Sequence, residues 1–477
     1  MSEVAVRRET DELSPLGRLA LLLEPDRAAR LREYAERARG VLGGRTVWNV
    51  RATASGGGDA EMLFALLADG PGRGVATRSM VLDGGPAFFK ITKRMHNFLR
   101  GSVGDAGRLD EPERQHYETV LAANLARMAA EVRPGDLVLL HDPPTAGLAP
   151  GLRDLGAQVV WLVDATDLPT RATETAWSFL RPYVEAADAV IFPLAHCAPR
   201  WLNPHRTFVI PPSLDPLGPK NRELTPEQAK ATLRAAGIMA GNVGDRFRDF
   251  TRRDGSRGSV RRHSGVTMSD ELLPSGERYV LQVGRWDRLK DAAGVLEGFV
   301  SALGSMPNDV HLVLAGPRPE VISDDPESTH VAEECVGAWQ QLPAYALRRI
   351  HICWLPTDDP DEHAHIVNAL QRHADLVVHK SIAEGFGLTV AESMWKGRAV
   401  LASRVGGIQD QIVDCENGVL LDDPRDLESF GAAVATLMQD SALRHRLGVA
   451  ARERIRDRYL CDRHLVQYVD LFAALLD

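Results

Sequence analysis

Ten short apolar runs constrain this chain most, because each is followed by a turn or an amphipathic stretch. Five fall at 46–50, 137–140, 159–163, 189–192 and 208–210, and five more at 279–283, 310–314, 350–354, 376–378 and 399–402. Helical patterns lie between them, as at 113–132, 292–303 and 426–439. Apolar strands alternating with helices predict parallel sheets covered on both faces. Two groups of runs predict two such sheets, and 477 residues are too many for one ordinary core. The expected fold class is α/β: two Rossmann-like lobes with an interlobe cleft. The expected boundaries are 1–220 for a first lobe, 221–275 for a linker or insertion and 276–455 for a second lobe. A C-terminal helix at about 456–477 is expected to pack back on the first lobe. Ligands of open α/β sheets bind beyond the carboxyl ends of the strands, so the residues just after each run are the candidates for chemistry.

The bulk composition excludes several classes. With 56 basic against 65 acidic residues the formal charge is −9, which argues against a nucleic-acid binder. The five cysteines form no C-x-x-C pair, so a reducing compartment, the cytoplasm, is expected and a structural metal is not. No apolar run approaches the roughly 20 residues that span a bilayer, and the first 16 residues lack the apolar core of a signal peptide. Between 246 and 262, seven arginines face two aspartates. That stretch reads either as a mobile basic loop near an anionic ligand or as a solvated insertion.

The richest motif is Glu384-Gly-Phe-Gly-Leu-Thr-Val-Ala-Glu392. A helix start offers unpaired N–H groups and a partial positive charge, and glycines let an anion come close. Gly385, Phe386, Gly387, Leu388 and Thr389 are thus candidates for holding a phosphate. Glu384 and Glu392 can accept hydrogen bonds from hydroxyls, Glu384 from a sugar and Glu392 from a ribose. Arg285 and Lys290 flank a turn after the run at 279–283 and could converge on a diphosphate. Positive groups stabilise a departing diphosphate more as its charge grows, which accelerates the step. After the first run, Gly56, Gly57 and Gly58 open a helical stretch and could face the diphosphate, with Asp59 beside them toward an acceptor. His141, Asp142, Asp164 and Asp167 follow two further runs and are candidates for an acceptor's hydroxyls or amine. His141 reads either as a proton carrier or as a structural histidine. The Gly pair in Val405-Gly-Gly-Ile-Gln-Asp410 reads as a plain turn or as part of the donor site's frame.

The segments 54–63, 88–97, 141–143, 179–184, 210–216, 220–224 and 380–397 together resemble the retaining trehalose synthases of glycosyltransferase family four. The paired-glutamate motif belongs to the wider family; the first-lobe segments are more specific to this branch. The resemblance implies the GT-B fold. It implies transfer of a sugar from a nucleoside-diphosphate sugar to a sugar acceptor, forming an α,α-1,1 bond, without a metal or other cofactor. Donor roles fall on Arg285, Lys290, Glu384 and Glu392, and a homodimer is the oligomer it suggests. The leaving phosphate oxygen would take the acceptor's proton, so no protein base is required.

Two departures stand out. Leu162 occupies the place of a histidine usual in such enzymes, and Asp59 replaces an apolar residue. A buried carboxylate prefers a cationic partner, so a substrate other than plain glucose, such as an amino sugar, is expected. Two other readings share the architecture: a nucleotide-sugar epimerase, and a sugar-nucleotide-binding protein without turnover.

Overall fold

The computed structural model describes residues 14–52, 63, 66, 67, 74–163, 170–242, 248–263, 265–268, 271–319 and 326–476. The chain divides into two compact units, Met1–Asp215 with Leu460–Asp477, and Pro216–Tyr459.

The first unit holds a six-stranded parallel sheet of β1 (Thr46–Arg51), β2 (Ala76–Val81), β3 (Leu137–His141), β4 (Gln158–Leu162), β5 (Ala189–Phe192) and β6 (Thr207–Val209), in the order β2-β1-β3-β4-β5-β6. The interiors of β1, β3, β4 and β5 are buried, as expected for strands covered on both faces. β2 was not expected. It is an edge strand of sequence ATRSMV with mostly exposed residues, so it carries no apolar run. Three helices supply apolar partners: α2 (Pro86–Leu99), α3 (Glu111–Met128) and α4 (Arg171–Val184), after α1 (Pro25–Val41). Phe88, Tyr117, Phe179 and Tyr183 from these helices form one ring cluster. The C-terminal helix Cys461–Leu476 lies on α1, where Arg27 meets Asp462 at 2.7 Å, and Arg463 donates to the carbonyls of Pro211 and Pro212.

The second unit holds β9 (Arg278–Val283), β10 (Val310–Pro317), β11 (Ile350–Leu355), β12 (Leu376–His379), β13 (Val400–Ser403) and β14 (Val419–Leu421), all parallel, in the order β11-β10-β9-β12-β13-β14. Three-residue β14 is too short to announce itself in the sequence.

The division differs from the expected boundaries, since 221–275 is no separate linker. It contributes α5 (Pro226–Ala236), with a Thr225–Gln228 capping box and Gly237 at its left-handed end. α5 packs on α7 (Pro360–His373), which follows α6 (Ala292–Ser301) in the chain. The basic stretch forms a hairpin of β7 (Asp249–Thr251) and β8 (Arg257–Ser259) against the start of α7. Arg252 pairs with Asp359 at 2.7 Å, Arg253 with Asp361 at 2.8 Å and Arg261 with buried Glu362 at 2.6 Å. Arg252, Arg253 and Arg261 serve the acidic start of α7, a role neither sequence reading included, while Arg257 pairs with Asp249 inside the hairpin. Among the described residues no helix is long and apolar enough to cross a membrane.

Candidate active site

In the second unit the strand order reverses between β9 and β12. Connections on the two sides of such a point diverge, which opens a crevice beyond the strand ends. Beyond β9 a tight turn is set by Asp287, whose side chain accepts the Leu289 N–H at 2.8 Å and whose carbonyl accepts the Lys290 N–H at 2.9 Å. The Gln282 side chain donates to the Lys290 carbonyl at 2.7 Å. Asp291, at φ 52°, caps α6 and forms an ion pair with fully buried Lys380, which also donates to the Pro424 carbonyl at 2.6 Å. The Ile382 N–H reaches the Leu289 carbonyl at 2.7 Å. The segments after β9 and β12 are therefore fastened to each other by backbone and by charge.

On this base sits Glu384, 4% exposed. Its Oε2 receives the Lys290 ammonium, the His379 Nε2 at 2.8 Å and the Ser381 hydroxyl at 3.4 Å. His379 Nε2 also lies 3.4 Å from Lys290 Nζ. Burial, and then the Lys290 charge, push the His379 pKa below its ordinary value against the pull of Glu384, so the imidazole is neutral. A neutral ring whose Nε2 faces a carboxylate carries its proton there.

The turn after Glu384 leads into α8 (Leu388–Trp395). Gly387 has φ +85°, and a Cβ there would meet Ile408 at 2.9 Å. The glycine pair at 406–407 supports this turn from behind. A Cβ on Gly406 would stand 1.8 Å from the Glu384 carbonyl oxygen, and the Gly407 N–H donates to the Gly385 carbonyl at 2.6 Å. Phe386 is 3% exposed and packs on the Tyr459 ring, so its side chain anchors the turn. Leu388 and Thr389 form the first turn of α8, where N–H groups lack intrahelical acceptors.

Not every expected donor residue joins this cluster. Arg285 is half-exposed on the β9 turn, 4.0 Å from Asp287. Glu392 lies on α8, 5% exposed, and its Oε1 pairs with Lys220 at 2.7 Å. Lys396, one turn on, is buried against the Asn221 side chain at 2.9 Å, and burial holds its pKa well below the usual lysine range.

In the first unit the order reverses between β1 and β3. His141 ends β3 with its Nε2 buried and without a hydrogen-bond partner among the described residues. Burial and the Arg51 charge push its pKa down to about 3. Asp142 adopts φ 62°, and the turn is pinned by Trp161 donating to its carbonyl at 3.1 Å and by the Tyr117 hydroxyl donating to Pro143 at 2.7 Å. Leu162 is the register partner of His141. Gly56, Gly57, Gly58, Asp59, Asp164 and Asp167 lie outside the described residues.

Residues 49–199 match the model described as trehalose synthase, N-terminal domain, and 267–454 match glycosyl transferases group 1. The chain is 30% identical to a trehalose synthase of Pyrococcus horikoshii over 95% of each protein. It is 31% identical to one of Rubrobacter xylanophilus, over 94% of this chain and 93% of that protein. The chain belongs to the trehalose synthase branch of glycosyltransferase family four. Its fold is GT-B: an α,α-trehalose-phosphate synthase structure from Burkholderia vietnamiensis superposes with a TM-score of 0.63 at 16% identity, over 91% of this chain and 99% of that one.

His379 and Lys220 were missed from the sequence. A signal existed for His379, because it is the last residue of a strand beside the reversal point. Lys220 opens the segment 220–224 that carries part of the resemblance, but it is remote in sequence from Glu392 and nothing linked the two.

Proposed function

We propose that the protein transfers a glycosyl unit from a nucleoside-diphosphate sugar to a sugar acceptor with retention, forming a trehalose-type α,α-1,1 bond. The observation that carries this reading is the convergence of Lys290, His379 and Glu384 at the β9/β12 reversal, next to the start of α8. Lys290 and Arg285 would hold the diphosphate, and the first N–H groups of α8 would add donors to it. Glu384 would accept hydrogen bonds from the donor sugar, and Glu392 from the ribose once Lys220 yields its place. The first lobe would bind the acceptor through His141 and Asp142. As the sugar C1–O bond to the diphosphate breaks, the acceptor oxygen bonds to C1 and its proton passes to a leaving phosphate oxygen. No step requires a metal or a protein base.

Leu162 beside His141 supports a finer reading, that one substrate carries an amino group or otherwise departs from glucose. The test is mass spectrometry of products from a panel of nucleotide sugars with glucose and amino-sugar acceptors. A disaccharide plus free nucleoside diphosphate is expected. An epimerised donor with no acceptor consumed would overturn the transfer, and a clear preference for glucose would overturn the finer reading.

A further inference from the structure

Of the three side chains on Glu384 Oε2, the Ser381 hydroxyl is the most distant at 3.4 Å, and of the two closer donors only one is fixed. Lys290 reaches it with a single ammonium on a flexible four-carbon stem, 16% exposed. His379 reaches it from the last position of β12, 2% exposed, with a 2.8 Å contact from Nε2. A diphosphate bound near Lys290 would compete for the ammonium, because its charge exceeds that of one carboxylate. Glu384 has three rotatable bonds, so without His379 a carboxylate held by Lys290 and the long Ser381 contact could follow the ammonium or turn away.

We infer that His379 is a positioning residue that keeps the Glu384 carboxylate in place when Lys290 turns to the diphosphate. The inference rests on the donor-site reading above. A held carboxylate meets the donor's hydroxyls without first reorganising, and that placement matters most at the transition state. At 2% exposed, His379 itself has almost no surface to offer a sugar or a phosphate. The backbone of β12 fixes the ring. The neighbouring Lys290 ammonium disfavours a second proton on it, so the ring stays a single-proton donor aimed at Oε2. Loss of the histidine should therefore lower turnover and leave the affinity for the leaving group nearly unchanged.

Glutamine can present an amide N–H where Nε2 now lies; alanine and leucine cannot, and leucine keeps the side-chain volume. Wild type, H379Q, H379A and H379L are compared in steady-state kinetics with a nucleotide sugar that wild type consumes, in calorimetric titrations with UDP and ADP, and in Tm. H379A and H379L should each lose about tenfold or more in kcat with the diphosphate Kd within about threefold, and H379Q should recover most of the loss. The inference is overturned by full turnover in H379L, by H379Q as impaired as H379L at equal Tm, or by a diphosphate Kd that rises in step with the loss of kcat. A wild-type protein that binds neither UDP nor ADP would instead remove the donor-site reading and this inference with it.

Discussion

The two sheets reverse their strand order at comparable places, yet what lies beyond the reversal differs. In the second lobe it holds charges in pairs, Lys290 on Glu384 and Lys380 on Asp291. In the first lobe, beside the charges of Arg51 and Asp142, stand neutral groups that are unsatisfied: buried Asn49 Oδ1 and His141 Nε2 have no hydrogen-bond partner among the described residues. Paired charges suit an anionic leaving group, since they are already in place when its charge develops. Neutral groups with spare hydrogen-bonding capacity suit uncharged hydroxyls, which replace the water they lose.

The largest expected effect bears on the scaffold under the charged end. Asp291→Asn keeps the shape but leaves fully buried Lys380 without its counter-charge, and should cost about 3–5 kcal/mol in urea unfolding. A cost below about 1 kcal/mol would show that the pairing matters little. Next come Glu384→Gln and Lys290→Ala, each expected to lower kcat/KM by about a hundredfold or more. Losses under threefold would erase the contrast between the lobes.

Acid should separate the lobes more gently. Burial holds His311, His351, His365 and His373 of the second lobe down at about 4, and His141 and His464 of the first at about 3. Their folded values lie below the unfolded 6.5, so the unfolded chain binds more protons and stability falls as pH drops from 6.5 toward 4. Each histidine contributes a slope of up to about 1.4 kcal/mol per pH unit in that window. Hydrogen exchange at pH 7.5 and 5 should therefore show the second lobe, with four of these groups against two, losing protection first. The smallest effect tests the unsatisfied neutral groups directly. His141→Ala should raise the acceptor KM by up to about tenfold and leave the donor KM unchanged.

The sheets were legible because buried parallel strands must be apolar along their whole length; all ten expected runs correspond to strands within a few residues. The edge strand β2 escaped because exposure removes that requirement. The Glu384–Glu392 motif located the start of α8 because glycine and helix chemistry are local. Partners distant in sequence were not legible: Lys220 on Glu392, or the arginine hairpin on Asp359, Asp361 and Glu362. Charge alone left that hairpin between a ligand-facing loop and a solvated insertion, where the fold supplies partners in a helix's own first turn.

The tail at Leu460–Asp477 belongs to the unit that begins the chain. On the ribosome residues 1–215 emerge before the second unit, yet Leu465, Val469 and Phe472, buried in the finished molecule, are translated after it. The lobe begun first must therefore wait for residues made after the second, holding an uncovered surface through synthesis of that whole lobe. Any attempt to produce the halves separately should give the first one this tail, either fused after residue 215 or added back as a peptide.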